Sequence, residues 1–146
     1  MISFKREKRI LVPTDFSAQA DQAVLDALDM VADPSDLSVL HVAPPMSSYP
    51  VADPAIVWES ITEEARSERI EESFRVHIKD PRAQAVHFAV AFGAPAEEIV
   101  DYAEAHEIDM IMMPSHGRSG LRRLLLGSVA ERVVRAAHCP VIVLRN

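Results

Sequence analysis

The sequence predicts an α/β protein: a doubly wound, open parallel sheet of five strands with helices on both faces. Three observations predict it. Five short runs of nearly continuous apolar character recur along the chain, as expected of strands buried on both faces. Segments with apolar residues at helical spacing lie between them, so strand and helix alternate. Proline and glycine punctuate the joins, and right-handed crossovers leave a doubly wound sheet as the natural topology.

The first run, RILVPTD (9–15), is a strand closed by Pro13. Ser17 is placed to cap the helix that follows. There Ala20, Ala23, Val24, Ala27, Leu28 and Val31 form one apolar stripe, and Asp33-Pro34 ends it. LSVLHV (37–42) is the second strand, and APPMSSYPVADP is a long loop with four prolines. Residues 55–78 read as a charged helix with Val57, Ile61, Ala65, Ile70 and Phe74 on its weakly periodic apolar side. AVHFAVAF (85–92) is the third strand. Pro95 suits the first position of the next helix, which presents Ile99, Val100 and Ala103, with Ala96 at the margin. DMIMM (109–113) is the fourth strand and PVIVL (140–144) the fifth. Between them Ser128 reads as the N-cap of the last helix, with Glu131 completing a capping box.

With 146 residues the chain suits one domain, 1–146, able to bury a real core. Repeats and low-complexity tracts are absent from the sequence. The single Cys139 excludes an internal disulfide framework and suits a reducing compartment. No apolar run approaches the roughly 20 residues of a membrane span. The start, MISFKREKRILVPTD, lacks an uninterrupted apolar stretch, so a cytoplasmic protein without membrane attachment is expected. A net charge of −7 argues against general nucleic-acid binding. The charge is uneven, however. Residues 1–113 hold nine basic against twenty-one acidic side chains, whereas residues 114–146 hold six arginines against Glu131 alone. Such asymmetry points either to an anionic ligand near the C-terminal third or to a solvated basic helix face.

In open sheets of this kind ligands sit beyond the carboxyl ends of the strands, where strand order reverses. If strands one and four flank that point, Pro13-Thr14-Asp15 and the stretch PSHGRSGLRRLLLGS (114–128) line one crevice. Gly117 and Gly120 let backbone approach a ligand. Gly127-Ser128 leads into a helix N-terminus, which favours anions. Arg118, Arg122 and Arg123 are placed to add charge-assisted hydrogen bonds. The same residues also suit plain turns, a helix cap and solvated charges. No Gly-Lys-Ser/Thr occurs, so this is not a Walker loop.

The chain resembles the universal stress protein family along nearly its whole length. The resemblance is carried by ILVPTDFS (10–17), LSVLHV (37–42), GAPAEEIVDYA (93–103), DMIMMPSHGRSG (109–120) and LLLGSVAERVVRAAHCPVIVL (124–144). The family's nucleotide signature is Gly, two residues, Gly, nine residues, Gly, then Ser or Thr. Gly117, Gly127 and Ser128 fit it, and Pro114 stands where the first glycine falls. The resemblance implies strand order 3-2-1-4-5, ATP binding in some members, and homodimers paired through the last strand, here 140–144. It implies that Pro13, Thr14, Asp15 and Val42 meet adenine and ribose, with Met113 at the end of the fourth strand beside them. Gly117, Arg118, Gly127, Ser128, Val129 and Ala130 fall on the phosphate side. Proline at 114 fixes φ and removes one N–H. A hydrogen bond to a charged acceptor is worth roughly 1.5–3 kcal/mol, so its loss lowers the expected affinity by about one to two decades.

Other residues carry less. The six histidines, His41, His77, His87, His106, His116 and His138, lie on different elements without paired ligand spacing, so no metal site is expected. His116 faces the crevice, where it reads as a solvated loop residue or as a contact to a phosphate. Asp15 is placed to meet a ribose or an ATP-bound Mg²⁺, or to cap the first helix. Tyr49 and Trp58 flank the long loop, as core or as cover for the crevice. Cys139 reads as an inert thiol. Val141 to Leu144, apolar on both faces, suit an edge that pairs with a second subunit. Without a general base, nucleophile or metal cluster, the expected function is an ATP-binding stress-response regulator acting as a homodimer, with at most slow hydrolysis. The rival is a member of the same family that binds no nucleotide and acts through protein partners. An adenylyl-transferring enzyme of a related α/β family would need an acceptor pocket and a second domain, and no second domain is expected within these 146 residues.

Overall fold

The computed structural model describes residues 8–45, 62–116 and 126–145. Its elements in chain order are β1 (Ile10–Pro13), α1 (Ala18–Met30), β2 (Leu37–Ala43), α2 (Glu63–His77), β3 (His87–Phe92), α3 (Pro95–Ala105), β4 (Met110–Pro114), α4 (Ser128–Ala136) and β5 (Val141–Leu144). The five strands form one parallel sheet in the order β3-β2-β1-β4-β5. This is the doubly wound arrangement expected from the alternating pattern, and the reversal of direction falls between β1 and β4.

Strand alternation divides the core in two. Ile10, Val12, Met110 and Met112 face one side, where Ala23, Val24, Ala27 and Leu28 of α1 and Phe74 of α2 cover them. Leu11, Ile111 and Met113 face the other, beneath Ile99 and Ala103 of α3 and Ala130 and Val133 of α4. The period-two pleat and the 3.6-residue helix period thus meet in two apolar layers flanking the sheet.

Local chemistry sets the helix boundaries. Ser17 Oγ accepts from Ala20 N at 3.2 Å and caps α1, as its position in the sequence suggests. Thr62 Oγ1 accepts from Ala65 N at 3.1 Å and caps α2. The described part of the helix expected over 55–78 therefore begins at Glu63, and residues 55–61, Tyr49 and Trp58 lie outside the described residues. Pro95 opens α3. Several boundaries differ from those the sequence suggests: α1 stops at Met30, before Val31, and β5 starts at Val141, after Pro140. Pro81–Ala85 forms a 3-10 turn, capped by Asp80, so β3 begins only at His87. Pro114 belongs to β4, opposite Leu144 of β5, rather than to the loop after it. Among the described residues, no helix is long and apolar enough to cross a membrane.

Candidate functional site

The crevice arises from unequal strand pairing. β1 and β4 pair only through Ile10↔Met110 and Leu11↔Ile111. Beyond that level each strand follows its outer neighbour. Pro13 pairs with Leu40, and Thr14 N donates to Leu40 O at 2.8 Å. Pro114 pairs with Leu144, and Ser115 N donates to Leu144 O at 2.8 Å. The two central strands part, and a cavity of about 400 Å³ opens above the gap, within the size range of small-molecule sites.

Pro114 becomes intelligible here. Along β4, Met110 N donates to Arg9 O toward β1, whereas Ile111 N and Ser115 N donate to Pro140 O and Leu144 O toward β5. By that alternation the nitrogen of Pro114 looks toward β1, at a level where β1 has already departed. A proline is tolerated in this central strand because no ladder bond is lost. Its missing donor faces the cavity, which Pro114 lines.

The structure gathers nine of the residues singled out in the sequence around this cavity: Pro13, Thr14, Asp15, Val42, Met113, Gly127, Ser128, Val129 and Ala130. Gly117 and Arg118 lie outside the described residues, as do Gly120, Arg122 and Arg123. Sequence reasoning missed Ala20, Leu40, Pro95, Ile99 and Ser115, which also line the wall. Leu40 had a signal, since it precedes Val42 by two and shares its face. Pro95 and Ile99 had a topological one, because every helix in such a sheet starts at the carboxyl ends of the strands.

The first turn of α4 corrects the capping-box reading. Gly127, not Ser128, is the N-cap, and no side chain caps the helix. Gly127 N donates to Ser115 O at 2.7 Å, which sets the start one residue earlier than the Ser-x-x-Glu frame requires. Glu131 instead pairs with Arg135 at 2.8 Å. Ser128, Val129 and Ala130 therefore begin the helix without side-chain partners for their N–H groups, and all three line the cavity. Orphan donors and the positive end of the helix dipole favour an anion at that spot.

The opposite wall is the β1–α1 turn. Thr14 Oγ1 accepts from Phe16 N at 3.0 Å, and Asp15 Oδ1 accepts from Ser17 N at 2.9 Å. Asp15 thus shapes the turn while lining the cavity; the helix cap belongs to Ser17. Phe16 itself holds φ at 62°, the left-handed region that costs a bulky residue roughly 1–2 kcal/mol. His116 departs from the solvated reading. Its Nδ1 lies 3.1 Å from Ser115 Oγ, and its Nε2 is buried without a partner among the described residues. Cys139 is half-buried, and burial pushes its thiol above the ordinary range, which disfavours the reactive thiolate. Among the described residues, no group of three His, Cys, Asp or Glu side chains is arranged to hold a metal.

Comparison with known proteins agrees with the fold. Residues 7–145 match the universal stress protein family. A universal stress protein of Methanocaldococcus jannaschii is 38% identical over 141 residues, covering 95% of this chain and 82% of the relative. The solved structure of hypothetical protein MJ0577, from the same organism, superposes with a TM-score of 0.71 at 31% identity, covering 97% and 98% of the two chains. Universal stress protein UspA of Lactobacillus plantarum gives 0.67 at 28%, covering 97% and 99%. Two more distant structures share the fold and were solved with adenine nucleotides. One, in complex with cAMP, is 22% identical with a TM-score of 0.59 and coverage of 95% and 97%. The other, from Archaeoglobus fulgidus in complex with dAMP, is 19% identical with a TM-score of 0.59 and coverage of 99% and 100%.

Proposed function

Because this chain belongs to the universal stress protein family, we propose that it is a cytoplasmic, nucleotide-responsive stress regulator that takes ATP in the crevice between β1 and β4. One observation carries the reading: the side-chain-uncapped N-terminus of α4 opens into a largely apolar cavity at the point where strand order reverses. The apolar wall of Leu40, Val42 and Met113 suits a purine. Thr14 and Asp15 stand where a ribose, or a cation carried by the nucleotide, would be met. Ser128, Val129 and Ala130 offer N–H groups to a phosphate, with Gly117 and Arg118 assigned to the same end by their place in the family signature. The regulator acts as one domain spanning 1–146 and as a homodimer. Val141–Leu144 is an edge strand, half-exposed along its length, and Val134 of α4 is exposed nearby in the chain. It acts by binding, with hydrolysis at most slow.

The test is direct. Freshly purified protein is denatured and the released small molecules are analysed by mass spectrometry, and the emptied protein is then titrated with ATP in a calorimeter. Adenine nucleotide in the supernatant, or saturable heat below millimolar ATP, is the expected result. Neither signal at millimolar ATP would sink the reading.

Pro114 favours the second reading, in which the protein binds no nucleotide and works through protein partners, because its nitrogen faces the crevice with no proton to donate. Pro114→Gly is therefore expected to raise ATP affinity about tenfold, at the lower end of what one charge-assisted hydrogen bond contributes. The ligand-free protein becomes slightly less stable, since glycine in a strand is entropically unfavourable. Calorimetry on both proteins checks this, and equal affinities would show that the missing donor is irrelevant.

A further inference from the structure

We propose that His41 is a positioning residue for the crevice, a clamp that holds the β1–α1 turn in its ligand-ready shape. The ligand role rests on the nucleotide reading above; the clamp itself rests on geometry.

His41 does not line the cavity. Along β2, Leu40 and Val42 belong to the cavity face of the sheet, so His41 points to the opposite face, beneath α1 and α2. From there its Nδ1 reaches Thr14 O at 2.8 Å. A carbonyl oxygen only accepts, so Nδ1 carries the proton and the tautomer is fixed. Thr14 is then pinned at both backbone groups: its N–H by Leu40 O, its C=O by His41.

The imidazole has a second contact. Its ring meets the Phe16 ring edge-on at 5.1 Å between centroids. His77, from the last turn of α2, meets Phe16 from another direction at 5.9 Å and is itself anchored to Asp21 Oδ2 at 2.6 Å. Phe16 is the residue held at φ 62°. A strained conformation persists only where its surroundings over-determine it. Here they do: two side-chain acceptors fix the Phe16 and Ser17 amides, and two histidines flank the ring. The consequence falls on Thr14 and Asp15, the two residues of this turn that face the cavity. Without the donor on His41, the Thr14 carbonyl is released and the turn can relax away from the left-handed conformation.

Three forms of the full chain test the clamp: wild type, His41→Leu, and His41→Asn, whose amide nitrogen stands where Nδ1 stood. Hydrogen exchange of the Phe16 and Ser17 amides is read without nucleotide, and ATP affinity is read by calorimetry. In His41→Leu we expect exchange at both amides to accelerate, and ATP to bind more weakly, each by about tenfold; His41→Asn restores both. If the leucine variant does not fold, His41→Gln replaces it, since its donor sits one bond too far out. Unchanged exchange in the variant without the donor overturns the clamp. Faster exchange with unchanged ATP affinity overturns its role toward the ligand, as does a His41→Asn protein as impaired as the leucine one. Exchange that follows the expected pattern in a wild-type protein that takes no ATP overturns the nucleotide reading and leaves the clamp standing.

Discussion

Replacing Gly127 with valine is expected to lower ATP affinity by at least about two decades, each decade being roughly 1.4 kcal/mol. The reason lies in backbone contact, not in the glycine's conformation. Gly127 has φ −60° and ψ 157°, which any residue adopts. A Cβ at this position, however, meets Ser115 O at 3.0 Å and His116 Cα at 3.6 Å. That same oxygen accepts the Gly127 N–H at 2.7 Å, so the two backbones cannot separate without breaking the bond that sets the start of α4. Alanine requires a shift of a few tenths of an ångström. Valine adds two more methyl groups against rigid backbone, an overpacking that costs about 1–3 kcal/mol in folding. The displaced part is the first turn, whose Ser128, Val129 and Ala130 amides face the cavity. The side chain thus acts by moving the donors rather than by standing in the phosphate position. Calorimetry of Gly127→Ala and Gly127→Val, with circular dichroism to confirm folding, separates the two effects. A folded valine variant that binds ATP like the wild type would refute the account.

Phe74→Ala is expected to cost about 3–5 kcal/mol of stability, a large share of the 5–15 kcal/mol typical of a domain. Phe74 is 1% exposed and stacks on Phe88 of β3 with centroids 4.6 Å apart. It is also the one buried residue of the fifteen in α2. The other apolar residues of that helix, Ala65, Ile70 and Val76, are not buried, and propensity alone seldom holds a helix in place. Removing the ring therefore leaves a cavity and takes away the buried attachment of α2, leaving it held by polar contacts such as those of Arg75 to Ala83 O and Val86 O. Denaturant unfolding read by circular dichroism should show the midpoint falling accordingly, with the melting temperature lower by on the order of 10 °C. A loss below about 1 kcal/mol would mean that α2 is anchored elsewhere. Since His77 ends the same helix, loss of Phe74 should also loosen the contact with Phe16.

The two cores and the sheet were legible because they depend on patterns that neighbours in sequence reveal. Alternate residues of β1 and β4 enter opposite layers, and Ala20, Ala23, Val24, Ala27 and Leu28 are all buried, as their spacing implies. Much of the cavity wall was legible too, since strand ends and helix starts mark where such sheets bind ligands. What remained hidden depends on contacts distant in sequence. Ser128 with Glu131 satisfies the capping-box pattern, yet the Ser115 carbonyl, twelve positions earlier than Gly127, decides which residue caps the helix. Phe16 has no sequence signal for a left-handed conformation, because glycine or asparagine usually supplies one. His41 looks like any polar residue in a half-buried strand until Thr14 is brought beside it. Pro114 argues against a central strand by rule, and only the parting of β1 and β4 explains why it is allowed.

That parting gives the sheet the outline of a pair of tongs. Three strands form one arm and two the other, and each arm is stitched along its full length, through six and four pairings on one side and four on the other. The pivot between them has two pairings, reinforced below by Arg9, whose backbone N–H donates to Asp109 Oδ2 and whose carbonyl accepts from Asp109 N, each at 2.9 Å. Helices bridge the arms on both faces, α1 packing on Met110 and Met112 of β4 and α3 meeting α4, so the jaws are open only at the strand ends, where Pro13 and Pro114 stand apart.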